Sequence, residues 1–370
     1  VALPQPGPGL GHLARVDRRQ LDQIGASVER ATTHDGAQSR RHLRRTGARA
    51  MSTIVAGIDE AGYGPLIGPL VVAASAFELQ AGGSERCLHR LLDDKRAGKS
   101  GLPVADSKRL YHGGGSLAAL ELSALGHVTL ARGVLPVNAG GLLEGALDLP
   151  RDELAELPWY GQDLAAAPLP VDADPAELRE RARTHAERLA SRGARCVAML
   201  AAPVPAPRFN RVTSAAGTKA FTLFRATGCL IEALVARFAD DELVIHIDRQ
   251  GGRIHYGDLL QTCFPLATLT TLEERRPESS YRLCFPGRAP VQVHFRVKAD
   301  DSRAPVAVAS ALAKLLREVF MRRLCAWFAE QLPGLRPSAG YGSDGQRFVA
   351  EVEPLLAARR LPRELLVRCR

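Results

Sequence analysis

Short apolar runs alternate with longer stretches of helical period along most of this chain. Residues 54–59 form a brief apolar run that ends at an acid and a glycine turn. Residues 69–79, rich in Val and Ala, form a second, and together the two predict a β-hairpin. Further strands are expected over 127–135, 195–202, 243–248, 266–272, 281–285 and 291–297. The clearest is Leu-Val-Ile-His-Ile-Asp at 243–248, bounded by Asp240-Asp241 and Gly251-Gly252. Helices are expected over 175–191, charged and so largely solvated, and over 219–238, where Phe224, Ile231, Leu234, Val235 and Phe238 recur at helical spacing. The longest is expected over 305–332, with Val308, Leu312, Leu315 and Val319 as its core stripe. Asp301 or Ser302 would cap it, ahead of Pro305 in the first turn. Strands interleaved with helices predict an α/β fold.

Two stretches break the pattern. Residues 1–50 are rich in Gly, Pro, Gln, Ser and Arg and read as a disordered basic tail, with one short helix near 15–30; the strongly patterned part starts at Met51. Residues 136–170 are low in charge and rich in Gly, Pro and Ala, and read as a loop-rich insertion ending by residue 192. Within it, Trp159 and Tyr160 are expected to form a small core of the insertion's own.

Charge sharpens the picture. The chain of 370 residues carries a net charge of +9, of which +5 lies in residues 1–50. A basic balance suits a polyanionic partner, although +4 over the remaining body is equally compatible with solubility alone. Seven Cys without a C-x-x-C spacing argue against a zinc site or a disulfide framework, and for a reducing, cytoplasmic setting. The uncharged run at 65–77 is too short for a membrane span, which needs roughly 20 residues. Aromatics at 5% exclude a protein built on many base-stacking platforms.

The acids are the candidates for chemistry. Asp59 and Glu60 are adjacent, and neighbours in a strand face opposite ways, so both serve one site only where the strand ends. Gly62, Gly64 and Pro65 supply that ending. Asp248 closes the 243–248 run, and Asp300 precedes the longest helix. Taken singly, each is better explained as a turn or capping residue. Taken together, two strand ends and a helix start deliver four acids with no local base. Clustered carboxylates repel unless a cation joins them, and Mg²⁺ prefers such oxygen ligands. His246, between Ile245 and Ile247, reads as a satisfied sheet histidine.

Five motifs in order resemble the type 2 ribonucleases H (ribonuclease HII). They are Gly57-Ile58-Asp59-Glu60-Ala61-Gly62 with Gly64-Pro65 and Gly68-Pro69; Asp106-Ser107-Lys108-Arg109-Leu110; Val244 to Asp248; Val297-Lys298-Ala299-Asp300 with Ala309 to Lys314; and Gly340-Tyr341-Gly342-Ser343. The resemblance spans residues 53–135 and 194–348. It implies a ribonuclease H-like fold, a central mixed sheet flanked by helices over 51–350, with 351–370 as a helical extension. It further implies a monomeric endoribonuclease that cuts the RNA strand of RNA–DNA hybrids or of ribonucleotide-containing duplex DNA. Asp59, Glu60, Asp248 and Asp300 would be both catalytic residues and ligands of two Mg²⁺ or Mn²⁺ ions. Gly62, Tyr63, Gly64, Ser107, Lys108, Lys298 and Tyr341 would bind substrate, Tyr341 by stacking on a sugar. The family's Gly-Arg-Gly is here Gly62-Tyr63-Gly64, its usual Gly after the third acid is Arg249, and its His near the last motif is Gln346. Loss of the arginine's cation implies weaker preference for a single embedded ribonucleotide. A structure-directed DNA nuclease and a non-catalytic nucleic-acid-binding relative are the competing readings.

Overall fold

The computed structural model describes residues 52–80, 84–92, 100–147, 149 and 151–369. The expected tail and its short helix lie outside the described residues. Among the described residues seven strands form one sheet: β1 (Thr53–Ala61), β2 (Leu70–Leu79), β3 (Ala194–Val204), β4 (Glu242–Asp248), β5 (Thr268–Glu274), β6 (Glu278–Cys284) and β7 (Val291–Arg296). Their order is β3-β2-β1-β4-β7-β6-β5. β1, β2 and β3 are antiparallel neighbours, whereas β4 and β7 run parallel to β1. This is a mixed α/β sheet flanked by helices.

The helices, in order, are α1 (Glu85–Leu92), α2 (Ser107–Leu110), α3 (Ala118–Arg132), α4 (Ala139–Leu143), α5 (Arg151–Ala155), α6 (Gly161–Ala166) and α7 (Pro175–Ala190). They continue with α8 (Ala206–Ala216), α9 (Lys219–Arg237), α10 (Gly257–Cys263), α11 (Ala299–Ser302), α12 (Ala304–Gln331) and α13 (Gly342–Ala358). The pleat of β1 sorts its side chains between two cores. Ile54, Ala56 and Ile58 pack with α9, whereas Val55 packs with α3 and α12. Gly57 shares the α12 face, and there it has to be glycine. A Cβ at this position would lie 2.2 Å from the backbone of Pro305 and Val306. The first turn of α12 thus lies directly on β1, and Ser75 Oγ on β2 donates to the Pro305 carbonyl at 2.7 Å.

Several expectations need correction. Residues 127–135, expected as a strand, lie mostly in helix α3. The β-branched Val128 and Thr129 are outweighed by Leu117, Leu120, Ala124 and Leu125 at helical spacing, and Gly133 ends the helix in the left-handed region. α12 is not capped by Asp301 or Ser302, because those residues belong to α11; Arg303 holds the cap position without a side-chain bond. Helix α7 is less solvated than its charge suggests, since Leu178, Ala182, His185 and Leu189 are buried. Trp159 and Tyr160 make no separate core: Trp159 stacks on Phe328 of α12, and Tyr160 meets Phe320 edge-on. The extension at 351–370 is helical only to Ala358, in a helix that begins at Gly342. After the short turn Arg363–Leu365, Val367 pairs with Ile67.

Candidate active site

Three parallel strands end side by side, and the acids stand at those ends. β1 and β4 pair only as far as Ile58 opposite Ile247, so Asp59, Glu60 and Asp248 lie just beyond the last paired residues, where the strands part. β7 stops at Arg296, and the chain turns through Lys298, in the left-handed region at φ 54°, to place Asp300 in α11. The crevice beyond the carboxyl ends of parallel strands is a frequent ligand site in open α/β sheets.

Asp59 shares its face with Gly57 and turns toward α12, where its carboxyl group is hydrogen-bonded with Ser310; the Ser310 and Ser107 hydroxyls lie 3.0 Å apart. It also accepts the Glu60 N–H at 2.8 Å and is only 7% exposed. Glu60 starts from the opposite face, yet it feels Asp248 and Asp300, which the open edge beyond Ile58 permits. Asp248 accepts the Ala299 N–H at 2.7 Å and tethers α11 to β4. Asp300 accepts the Asp301 N–H at 3.0 Å.

Burial and mutual repulsion push all four carboxyl groups upward. Asp59 is raised chiefly by burial, then by the charges of Glu60 and Asp248, and stands well above the usual carboxylate range. Glu60 is pushed up to about 7 by burial, then by Asp248 and Asp300. Asp248 is raised by burial and by Asp300, and Asp300 by burial, Asp106 and Asp301. Lys108 is the cation common to Glu60, Asp248 and Asp300, and it opposes these shifts. Asp106 thus joins the electrostatics of the site, while its own carboxylate accepts the Lys108 N–H at 2.9 Å.

Among the described residues no three His, Cys, Asp or Glu side chains stand ready to hold a metal ion. Three of the four acids are instead turned onto neighbouring backbone N–H groups, as above. The donor set nonetheless suits a hard divalent cation. It is all carboxylate, and Asp59, Glu60 and Asp248 are raised by charge within the set, a cost that a shared cation removes.

The remaining expected residues fall around this centre unevenly. Gly62 is buried with φ +82°, and its missing Cβ makes room for Arg317. Gly64 is exposed, and a Cβ there would stand 3.9 Å from the ring of Tyr341, itself 47% exposed. Tyr63 is half-buried and feels Glu60, which places its phenol beside the acids. Ser107 reaches the site only through Ser310. Lys298 is exposed, and its notable feature is its backbone, which makes the turn into α11. His246 bonds Glu85 at 3.0 Å and lies against His294, as a satisfied sheet histidine does. Arg249 turns inward to the Arg275 carbonyl and to Ser279.

Sequence reasoning missed the cations that flank Tyr63. Lys219 Nζ, at the start of α9, lies 5.2 Å from the Tyr63 ring centroid, and Arg253 acts on the same phenol. Neither stands in a motif, and nothing short of the fold brings residues 63, 219 and 253 together.

No family model and no curated protein matches the chain. Among solved structures it resembles the PCNA–RNase HII complex from Archaeoglobus fulgidus, with 20% identity over 86% of this chain and 94% of that one, at a TM-score of 0.40. It also resembles ribonuclease H2 from Pyrococcus horikoshii OT3, with 15% identity over 85% and 92% of the two chains and a TM-score of 0.37. A third is Bst-RNase HIII in complex with Mn²⁺, with 17% identity over 93% and 77% and a TM-score of 0.39. At such identities and scores the likeness assigns no residue a role; roles follow from the geometry above. No helix among the described residues is long and apolar enough to cross a membrane.

Proposed function

We propose that this protein is a divalent-metal-dependent endonuclease that hydrolyses the RNA strand of RNA–DNA hybrids or at RNA–DNA junctions. The observation that carries the reading is the placement of four carboxylates, Asp59, Glu60, Asp248 and Asp300, at or just beyond the ends of β1, β4 and β7, each raised by burial, with Lys108 acting on three of them. Asp59, Glu60, Asp248 and Asp300 would hold Mg²⁺ or Mn²⁺. Two such ions supply activation of a water and stabilisation of the leaving oxygen in an in-line phosphoryl displacement.

The chain's own groups do the rest. Lys108 offsets negative charge where the scissile phosphate would lie. Tyr341 offers an exposed ring face beside Gly64, suited to a sugar next to that phosphate. The glycine loop presents backbone to a 2′-hydroxyl, the group that separates RNA from DNA. Lys219 and Arg253 restore positive charge beside Tyr63, so the tyrosine does not leave the loop without a cation.

The test is cleavage of duplexes with one embedded ribonucleotide, of a full RNA–DNA hybrid and of plain duplex DNA, each with Mg²⁺ or Mn²⁺. Cutting at ribonucleotides and none in plain DNA is expected. Asp248→Asn should abolish cutting while duplex binding persists. Equal cutting of plain DNA would transfer the assignment to a structure-directed DNA nuclease, and turnover by Asp248→Asn would remove the acids from the chemistry.

A further inference from the structure

The loop that follows β1 is held from inside by a residue far away in sequence. Arg368 donates from Nη1 to the Gly62 carbonyl at 2.7 Å and from Nε to the Pro65 carbonyl at 3.1 Å, with Nη2 on Pro65 as well. It arrives on a short strap: Val367 pairs with Ile67, and Arg368 N–H donates to the Leu66 carbonyl at 2.9 Å. Asn210 of α8 ties the strap down. Its amide donates to the Val367 and Glu364 carbonyls at 2.8 and 3.0 Å, and its oxygen accepts from Cys369 N–H at 2.7 Å.

Arg317 lies alongside. It donates to the Ala339 carbonyl at 2.9 Å, and its guanidinium lies 5.3 Å from the centroid of the Tyr341 ring. Both arginines are buried, and among the described residues no carboxylate pairs with either. Arg317 Nε and Nη1 have no hydrogen-bond partner. Two buried cations without counter-charges are costly, so the fold retains them against its own stability.

The direction of the Arg368 bonds matters. The Gly62–Tyr63 peptide is trans, so its C=O and N–H point opposite ways. With the Gly62 carbonyl turned inward onto Arg368, the Tyr63 N–H points away from that guanidinium, and among the described residues no acceptor meets it. We propose that Arg368 is a positioning residue: it clamps the Gly62–Pro65 loop so that the Tyr63 N–H is presented to the sugar-phosphate of the bound strand. The identity of that strand rests on the nuclease reading; the clamp itself does not.

Three variants separate these ideas: Arg368→Gln, Arg368→Lys, and Asn210→Ala, which frees the strap and leaves Arg368 intact. Hydrogen exchange of peptides covering residues 61–68 is expected to quicken about tenfold in Arg368→Gln and Asn210→Ala, because the loop opens locally more often. On a ribonucleotide-bearing duplex, KM should rise about tenfold with kcat within about twofold, the signature of lost uniform binding. Arg368→Lys should fall between, since an ammonium reaches one carbonyl rather than two. A merely structural role would lower the melting temperature and leave KM unchanged. If Arg368→Gln does not fold, Asn210→Ala decides. Wild-type loop exchange and wild-type KM in a folded Arg368→Gln or in Asn210→Ala overturn the proposal. Should wild type cut no ribonucleotide-bearing duplex, the nuclease reading fails, and the exchange measurement alone judges the clamp.

Discussion

Glu60 shows most clearly how a single residue here is held against its own charge. Its carboxyl is raised from 4.5 to about 7, chiefly by burial and then by Asp248 and Asp300. A folded value above the unfolded one means that the stability this group contributes is complete below about 4.5 and is lost as pH rises through about 7. The ionised form then costs on the order of 3 kcal/mol. In EDTA, Glu60→Gln should therefore melt higher than wild type at about pH 8, and the gap should close toward about pH 4.5. Urea or thermal melts across that range measure it; an equal or lower melting point for the variant at the alkaline end would show that Glu60 is not under electrostatic strain. Gly57 makes the opposite point, because its role is purely steric. Gly57→Ala would drive a methyl into the α12 backbone at 2.2 Å and should cost more than the usual 1–3 kcal/mol of overpacking. Expression and melting of that variant would show it, and a wild-type melting point would mean that α12 can slide on β1.

At the scale of elements, what was legible depended on how local the deciding physics was. β1, β2 and β4 were readable because each is an apolar run closed by acids, glycine or proline. The acids at the ends of β1 and β4 were readable for the same reason. α3 was misread because its last turns hold β-branched residues, while the stripe that makes it helical begins ten residues earlier. The burial of Trp159 against α12, and the approach of Lys219, Arg253, Arg317 and Arg368 to the Gly62 loop, depend on tertiary contacts that no local pattern encodes. Two element-scale predictions follow from those contacts. Trp159 is 1% exposed and packs on Trp327 and Phe328, so Trp159→Ala should destabilise the whole fold by about 3–5 kcal/mol. A single cooperative urea transition at lower midpoint is expected; loss of only a partial, early transition would show that the segment 136–192 folds apart from α12. Between α3 and α7, His127 and His185 lie edge to face at 5.3 Å, and burial holds them down to about 4 and about 3. Folded values below the unfolded one mean that this packing is fully stabilising above about 6.5 and weakens as pH falls toward 4. Amide exchange in α7, corrected for its intrinsic pH dependence, should quicken on going from about pH 7 to about pH 5. Unchanged protection would mean that water already reaches the pair.

For the molecule as a whole, the acid cluster and the histidine pair pull stability in opposite directions with pH, so a simple pH profile of melting cannot separate them. A divalent cation can. An ion that binds only the native state raises stability by RT ln(1 + [L]/Kd), about 2.7 kcal/mol at a hundredfold excess over Kd. Binding needs ionised carboxylates, and Asp59, Glu60, Asp248 and Asp300 are all raised. Protons therefore compete with the ion, and its stabilising effect should grow as pH rises through the value near 7 of Glu60. The quantity to measure is the difference in melting temperature with and without Mg²⁺ at each pH, from which the histidine contribution cancels. We expect little difference at about pH 5 and a rise of several degrees at about pH 8. Asp248→Asn should show almost none at either, because it removes a charge shared with Glu60 and Asp59 without touching the histidines. A difference that stays constant with pH, or that survives in Asp248→Asn, would place the bound ions elsewhere on the surface. The carboxylates would then have to be explained as a strained structural cluster rather than as a metal centre.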